Sequence, residues 1–405
     1  MIDLEILYAG GGNGFGLGFH EGKAVLVPGA VVGDIVQVKP EKTGKNFYGK
    51  ILKVVELSQH RVEMQCPYAF NPENPLASFC GGCPMMGTSL SFVRESKLHM
   101  VKRAFRQSGV KLVSPQEIES VSSGLKYRDR IRCRLTDSGA GFMEPLSDNV
   151  KTVQNCQVAE FGTDLSFLNL ISIPGTELSV LWNSDGEFGI DVRGKITKNG
   201  IAAVTEASGG RLKVVSRDNI HVHGDKYIQI DDGINPHLNL KPGNFFQPGI
   251  QANIAILRAL DSLLSEIDLS GRDILELYAG SGNITRLLVK YGTTAAVESV
   301  DTSDAMRINA PKAEFIKSRT SGFKPGMKKY GLCVADPPRT GLDRETLQML
   351  LELKPEYIIL VSCDPMTGMR DLGNLVKGGY THKKVKVLDT MPWTPHMEII
   401  SLLAQ

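Results

Sequence analysis

The sequence lacks the features that would direct the chain to a membrane. No apolar run among its 405 residues approaches the ~20 that a membrane-spanning helix needs. The N-terminus has no basic, then apolar, then small-residue pattern of a secretory signal. Internal repeats and low-complexity tracts are absent as well. We therefore expect a cytoplasmic, monomeric protein of two or three globular domains, without a membrane partner.

The sequence also has little excess charge of either sign. Its net charge of +2 gives no argument for a nucleic-acid partner. Locally the balance differs, because eleven Lys and Arg side chains face only four Asp and Glu between residues 90 and 134. Most charges on the predicted helix Leu90 to Ser108 are expected on a solvated face. The stretch Arg130 to Leu135 alternates with arginines on one side of a strand, which predicts a nucleic-acid platform.

The chain changes its pattern twice, which predicts three domains. Residues 1–58 form short alternating runs separated by glycines, typical of a small β-barrel such as an oligonucleotide-binding barrel. Residues 59–240 begin with a Pro- and Gly-rich loop and continue with the helical stretch 90–120 and a strand-rich part. In that part Ile201 to Val204 and Leu212 to Val215 are predicted strands.

Residues 241–405 alternate helices with apolar strands, which predicts a doubly wound α/β domain. A helix is expected over Ile254 to Leu264 and another near 283–290. Predicted strands cover residues 273–277, 294–297, 331–335 and 356–361. Open α/β sheets carry their chemistry at the carboxyl ends of such strands.

A Gly-rich turn after the first of these strands predicts a nucleotide site, although the usual third glycine is missing. Gly280-Ser281-Gly282-Asn283 opens a helix, but Thr285 occupies the last position of the dinucleotide fingerprint. Glu298 ends the next strand, where a carboxylate can accept both hydroxyls of a ribose. With Glu276 before the turn, this combination resembles class I S-adenosylmethionine-dependent methyltransferases, and hydride transfer is the alternative.

The seven cysteines of a cytosolic chain indicate metal binding or catalysis rather than disulfides. Four of them suit one metal centre, which is zinc or an iron–sulfur cluster, and these are Cys66, Cys80, Cys83 and Cys156. Cys363 in Ser362-Cys363-Asp364-Pro365 follows the apolar run Tyr357 to Val361, so it is a reactive strand-end thiol or a buried core thiol. Cys133 and Cys333 are interpreted as core thiols.

Four further stretches, taken together, resemble the RNA uracil-C5 methyltransferases. They are Phe245-Phe246-Gln247, Asp336-Pro337-Pro338-Arg339-Thr340-Gly341, Ser362-Cys363-Asp364-Pro365, and Pro392-Trp393-Thr394-Pro395-His396-Met397-Glu398. The resemblance covers essentially the whole chain. It implies a C-terminal class I (Rossmann-like) methyltransferase domain, an N-terminal TRAM/OB-like β-barrel and a central α+β iron–sulfur domain. The helical stretch 90–120 is expected to pack on the catalytic domain.

The resemblance also assigns roles to residues. It implies that Cys363 adds to uracil C6 and that Glu398 removes the C5 proton, with His396 close by. It implies a [4Fe-4S] cluster on Cys66, Cys80, Cys83 and Cys156, and S-adenosyl-L-methionine contacts from Gln247, Tyr278, Asn283, Glu298 and Asp336. Phe245 or Phe246 is a candidate to stack on the flipped base.

The implied substrate is RNA, with the product 5-methyluridine. Family members that carry a cluster and a TRAM domain act mostly on large-subunit ribosomal RNA, which favours 23S rRNA, and the T-loop uridine of tRNA is the alternative. Two other hypotheses are cytosine methylation and a catalytically inactive iron–sulfur RNA-binding protein. The chain departs from the family pattern in the thirteen residues between Cys66 and Cys80, and in Asp129, where Asn is usual.

Overall fold

The computed structural model describes residues 1–110, 118–160, 164–234, 237–298 and 303–405. Lys111 and Glu117, two of the charges counted between residues 90 and 134, lie outside these ranges. In the described ranges no helix is long and apolar enough to span a membrane.

A six-stranded sheet forms the N-terminal part. Its strands, in the spatial order β1-β5-β6-β4-β3-β2, are β1 (Ile2–Glu5), β2 (Tyr8–Gly10), β3 (Phe15–His20), β4 (Lys23–Val27), β5 (Ile35–Thr43) and β6 (Asn46–Glu56). Alternation along these strands buries Val25, Val36 and Val38 in one core. Gly29 has a φ of +82°, and a Cβ there would lie 2.4 Å from the Phe70 ring, so only glycine fits this turn.

A long helix and a short strand follow, and both join the C-terminal part. They are α1 (Leu90–Ser108), whose predicted bounds are confirmed, and β7 (Glu119–Ser120). The residues Val101, Ala104 and Phe105 of α1 lie in the same hydrophobic core as the C-terminal sheet. β7 pairs in parallel with a strand of that sheet.

The central sheet has seven strands in the order β10-β9-β8-β11-β12-β13-β14. They are β8 (Arg130–Thr136), β9 (Gly139–Met143), β10 (Val150–Thr152), β11 (Glu177–Trp182), β12 (Phe188–Arg193), β13 (Leu212–Arg217) and β14 (Ile220–Gly224). A hairpin of β15 (Ile228–Ile230) and β16 (Leu238–Leu240) follows. Asp129, just before β8, accepts a hydrogen bond of 2.7 Å from the Ile250 N–H and so ties this sheet to the C-terminal part.

One predicted strand of the central region is wrong. Residues 201–204 belong to α2 (Gly200–Ala207). Only Gly200 and Val204 of this helix are fully buried, a spacing of four residues that matches one helix face. The two alanines of this run favour a helix. Four apolar residues are too few to show whether the period is that of a helix or that of a strand.

The C-terminal sheet has eight strands in the order β19-β18-β17-β20-β21-β23-β22-β7. The strands are β17 (Ile274–Leu277), β18 (Thr294–Glu298), β19 (Glu314–Lys317), β20 (Leu332–Ala335), β21 (Tyr357–Ser362), β22 (Thr381–Asp389) and β23 (Glu398–Ala404). The helices are α3 (Ile250–Leu264), α4 (Thr285–Leu288), α5 (Ser303–Asn309), α6 (Arg344–Leu353) and α7 (Pro365–Lys377). Strands β17 to β21 are parallel, and β23 runs antiparallel to β21.

The predicted doubly wound α/β domain is therefore confirmed, with all four predicted strands close to their expected bounds. The strand order reverses between β17 and β20, because β18 lies on one side of β17 and β20 on the other. Crevices at such a reversal bind ligands outside the carboxyl ends of the strands.

Candidate active site

Cys363 lies at the carboxyl end of β21, where the chain turns into α7. Asp364 caps the helix, because its Oδ1 accepts hydrogen bonds of 2.9 Å from the N–H groups of Met366 and Thr367. Pro365 begins the helix, a position where its missing N–H costs nothing. The turn therefore fixes the backbone of Cys363 and leaves its thiol partly exposed.

Sheet pairing brings Glu398 beside the thiol. Ser362 pairs with Ile399 in the antiparallel register of β21 and β23, so the next position sets Cys363 opposite Glu398. Asp336 directly follows β20, the other neighbour of β21. Glu398 is only 7% exposed, so two carboxylates and a thiol share one largely buried edge.

Burial raises the pKa of all three groups, and neighbouring negative charge adds to the effect for Cys363 and Glu398. Burial raises the pKa of the Cys363 thiol to about 12, and the charges of Glu398 and Asp336 add to the effect. Burial and Asp336 raise the pKa of Glu398 well above its usual value, whereas Arg339 opposes the shift. Burial raises the pKa of Asp336 to about 6. A carboxylate with a raised pKa is a stronger proton acceptor.

Arg339 is the positive charge of this site, and the sequence assigned it no role. Its guanidinium lowers the pKa of both Cys363 and Glu398. Its Nη2 lies 3.2 Å from His396 Nε2. Burial first and then Arg339 lower the pKa of His396 to about 4, so this imidazole is neutral at neutral pH. The motif Asp336-Pro337-Pro338-Arg339 contained the signal, because an Arg follows the acidic strand end at close range.

The segment before Glu398 is held by a buried lysine that the sequence also missed. Lys97 of α1 was counted among charges expected on a solvated face, but its side chain is fully buried. Its Nζ donates to Asp389 Oδ1 (2.5 Å) and to the carbonyls of Met391 and His396 (2.9 Å each). One side chain therefore ties the end of β22 to the turn that carries His396.

A cavity at the strand-order reversal is lined by four of the predicted cofactor residues, Gln247, Tyr278, Asn283 and Asp336. Glu298 lies at the neighbouring strand end and accepts a hydrogen bond of 2.8 Å from the Gly280 N–H. Thr285, at the position of the missing glycine, donates to buried Glu276 at 2.5 Å. The cavity is therefore lined both by polar side chains and by the backbone turn that contains Gly280.

A buried polar network behind this cavity positions Asn283. The amide Nδ2 of Asn283 donates to Asn253 Oδ1 at 2.6 Å, and its Oδ1 accepts from Arg286 at 3.1 Å. Arg286 in turn pairs with buried Asp232 at 2.5 Å. The sequence did not single out Asn253, although it lies on the buried face of α3.

The two candidate stacking aromatics differ in exposure. Phe246 is buried in a core with β15 and β16. Phe245 is 71% exposed and borders the cavity at the strand-order reversal. Of the two, only Phe245 is therefore available to a base.

The four cysteines predicted as metal ligands line one small, mostly apolar cavity, which Tyr68, Met86 and Val158 also border. Burial raises the pKa of all four thiols, and for Cys80 the value is about 12. Backbone N–H groups point at the sulfurs, as the Gly82 N–H does at Cys80 Sγ (3.4 Å). Buried sulfurs with backbone donors fit a centre that accepts thiolates, because the donors offset negative charge.

The loop that contains Cys80 and Cys83, called the cysteine loop below, contacts the segment that precedes Glu398. The Met85 N–H donates to the Trp393 carbonyl at 3.0 Å. Trp393 Nε1 donates to the Gly124 carbonyl at 2.6 Å. A direct hydrogen bond therefore joins the cysteine loop to the segment before Glu398.

Known proteins resemble this chain along its whole length. A 23S rRNA (uracil(1939)-C(5))-methyltransferase RlmD from Shewanella baltica is 29% identical, over 96% of this chain and 92% of the relative. An uncharacterized RNA methyltransferase from Clostridium tetani is 26% identical over 97% and 94%. The family model described as tRNA (Uracil-5-)-methyltransferase matches residues 304–405.

A solved structure shares the fold. The tRNA (uracil-54, C5)-methyltransferase of Pyrococcus abyssi, in complex with S-adenosyl-L-homocysteine, aligns over 99% of both chains with a TM-score of 0.75 and 21% identity. The C-terminal part thus has the α/β fold of class I methyltransferases, beside a β-rich N-terminal part. The chain is thus similar to RNA uracil-C5 methyltransferases, both in the family match of its C-terminal part and along its length.

Proposed function

We propose that the protein transfers a methyl group from S-adenosylmethionine to C5 of a uridine in RNA. The observation that carries this proposal is the position of Cys363 opposite Glu398, one step beyond the last pair of β21 and β23 and beside the cavity at the strand-order reversal. The names of the relatives support an RNA methyltransferase that acts on uracil C5.

Uracil C5 is a weak nucleophile, and Cys363 is the group that activates it. After the thiol has given its proton to solvent, its Sγ forms a bond to C6, and the electrons of the C5–C6 double bond move toward C5 and the ring oxygen as an enolate. C5 then takes the methyl group, the bond from this methyl to the cofactor sulfur breaks, and S-adenosylhomocysteine is the leaving group. Glu398 accepts the C5 proton, the double bond re-forms, and the bond from C6 to Cys363 breaks. Arg339 balances the negative charge of this step, because it faces both Cys363 and Glu398.

The cofactor-binding residues are Gln247, Tyr278, Asn283, Glu298 and Asp336. When bound, S-adenosylmethionine supplies an electrophilic methyl group and a positively charged sulfonium. Asp336 lines this cavity and also lies near the reacting thiol, because its charge raises the pKa of Cys363. Glu298 lies where a ribose is held in such folds. Phe245 is proposed to stack on the uracil after the base has left its helix.

A [4Fe-4S] cluster on Cys66, Cys80, Cys83 and Cys156 is part of the proposal. Among the described residues, no group of three or more His, Cys, Asp or Glu side chains is arranged to hold one metal ion. Each of the four thiolates would bind a different iron of the cluster, so their sulfur atoms need not converge on a single ion. The shared cavity and its backbone donors support this arrangement. The cluster would be structural, because methyl transfer needs no electron transfer.

The proposed domain division is 1–58 for RNA binding, 59–240 for the cluster and RNA, and 241–405 for methyl transfer. The first substrate candidate is 23S rRNA, since relatives similar over nearly the whole chain carry that name. The T-loop uridine of tRNA is the second, because the matching family model is described by tRNA. We propose a monomer in the cytoplasm.

Labelled S-adenosylmethionine incubated with unmodified ribosomal RNA and transfer RNA tests the function. Nucleoside analysis should find the label in 5-methyluridine of one RNA, and Cys363→Ala should abolish it. Label in 5-methylcytidine would show cytosine chemistry. Tight RNA binding without label in any nucleoside would indicate a protein that only binds RNA.

A further inference from the structure

A row of arginines crosses the central sheet. Arg130, Arg132 and Arg134 occupy alternate positions of β8 and so lie on one face, while Ile131, Cys133 and Leu135 are buried on the other. Arg128 continues the alternation by one step. Successive members lie about 6.6–6.8 Å apart along a strand. We call Arg128, Arg130, Arg132 and Arg134 the arginine row.

The charges of this row are poorly neutralised within the described part of the chain. Among the described residues, the carboxylate that forms an ion pair with the row is that of Glu177, which lies 3.4 Å from Arg132. Glu177 also pairs with Arg193 of β12 at 3.2 Å, so its charge is shared between two arginines. The Nε atoms of Arg128 and Arg130 are buried without a hydrogen-bond partner among described residues. Burial first, and then Arg132, Arg128 and Arg193, lower the pKa of Arg130 to about 10. Unpaired buried donors and like charges cost stability, so a ligand that accepts from them is expected.

One end of the row reaches the proposed active site. The Nη2 of Arg128 lies 3.1 Å from Met391 Sδ, in the segment that leads to Glu398. The charge of Arg128 also lowers the pKa of His396. The row therefore extends from the segment beside the catalytic pair outward across the sheet.

We propose that the arginine row binds successive phosphates of the single-stranded RNA that flanks the target uridine. This proposal rests on the proposed function, because it takes the methylated RNA as the ligand. The spacing of alternate residues on an extended strand is of the same order as that of phosphates on an extended RNA strand. Guanidinium groups are suited to phosphate by their planar set of donors. A flipped uridine requires unpaired neighbours, which favours a single strand over a duplex.

Salt-dependent binding of a short single-stranded oligouridylate, measured by fluorescence anisotropy, tests the row. Removal of one arginine–phosphate pair should make the slope of log K against log salt shallower by about 0.7 for a single strand. Arg132→Gln should therefore reduce the slope by about 0.7, and Arg130→Gln combined with Arg132→Gln by about 1.4. Arg217→Gln is the matched control, since Arg217 is exposed at the end of β13, three strands away from β8. Equal slopes for all variants, or the same reductions with a duplex RNA, would overturn the proposal.

A stability measurement separates a binding role from a structural one. Arg130→Met removes a partly buried charge from among like charges, so its thermal unfolding temperature should not fall, while its RNA affinity should. A fall in both would indicate a structural residue. Unchanged slopes together with normal formation of 5-methyluridine would contradict the RNA-binding role of the arginine row and leave the proposed function intact. Reduced slopes in a protein that forms no 5-methyluridine would support the RNA-binding role of the arginine row and contradict the proposed function.

Discussion

The Cys363 thiol is surrounded by opposing charges that control how much of it is ionised. Burial, Glu398 and Asp336 raise its pKa, and Arg339 lowers it. Because the pKa is about 12, the resting protein holds the thiol protonated at neutral pH. Reaction with solvent electrophiles is therefore slow until substrate and cofactor charges enter the site. Such protection would suit the proposed role of Cys363, because that role needs the thiolate only in the full complex.

The first prediction concerns alkylation of free Cys363 by iodoacetamide. Only the thiolate reacts, so the rate should rise about tenfold per pH unit between roughly pH 8 and 11, below the raised pKa. Glu398→Gln removes a negative charge, lowers the pKa and should speed alkylation at a given pH. Arg339→Gln removes a positive charge and should slow it.

Mass spectrometry of the peptide that contains Cys363 gives these rates separately from the other six cysteines. Rates that do not change with pH, or that change in the opposite order for the two variants, would contradict the charge arrangement.

The second prediction separates the two steps of the proposed mechanism. Glu398→Gln keeps the thiol but cannot accept the C5 proton, so the methylated adduct cannot eliminate Cys363. Radiolabelled substrate RNA should then remain covalently attached to the protein on a denaturing gel, and turnover should fall by at least ~10²-fold. Adding Cys363→Ala to this variant should remove the adduct.

Glu345→Gln, an exposed position at the start of α6, is the matched control and should turn over without an adduct. Normal turnover by Glu398→Gln would assign the base to another residue.

At the scale of elements, α1 and β22 are joined by one buried ion pair. Lys97 and Asp389 are both fully buried, and Arg94 adds a second contact to Asp389 at 3.4 Å. Burial lowers the pKa of Lys97 and Asp389 raises it, so the ammonium depends on its partner. Breaking such a pair leaves an uncompensated buried charge.

The third prediction follows from that pair. Lys97→Met should lower the free energy of unfolding by about 3–5 kcal/mol in urea titration, because buried Asp389 is left with its 3.4 Å contact to Arg94 and two backbone carbonyls lose their donor. Adding Asp389→Leu should recover part of the loss, since two apolar side chains leave no buried charge. A double variant no more stable than Lys97→Met would show that the shape of the site matters more than its charge.

The elements that the sequence predicted best are those whose burial is uniform. Parallel strands such as β21 are apolar runs because both faces are covered, and their ends mark the sheet edge. Residues 201–204 were assigned wrongly because four apolar residues fit either period. The burial of Lys97 depends on contacts such as its bond to His396, 299 positions away, and no local pattern contains such a contact. Arg339 lies 57 positions from His396, so its neighbours in the site are also distant in sequence, although the motif around Asp336 contained the residue itself.

At the scale of the molecule, separate sheets converge on the segment before Glu398. The cysteine loop contacts it through Met85, the stretch before the central sheet through Gly124, and α1 through Lys97. A Cβ on Gly14 of the N-terminal part would lie 2.9 Å from Pro395, so that part also packs against the segment. The position of Glu398 therefore depends on parts of the chain that lie far from it in sequence.

The final prediction tests whether the proposed cluster acts through these contacts. Protein purified without oxygen should contain iron and sulfide and absorb near ~400 nm. Removing the proposed cluster, or Cys83→Ser, should loosen the loop that holds Met85 and thus the segment that carries Glu398, the proposed base. Methyl transfer to RNA should then fall by about 10-fold or more. S-adenosylmethionine binding, measured by calorimetry, should remain, because its cavity is formed by other elements.

Cys133→Ser, a core thiol outside the cysteine cavity, controls for the loss of a buried sulfur, because it should leave the iron content unchanged. Stoichiometric zinc without iron would replace the cluster with a four-thiolate zinc site. Full activity without metal would show that the loop needs no metal to hold the base, since the hydrogen bond from Met85 to Trp393 would then suffice.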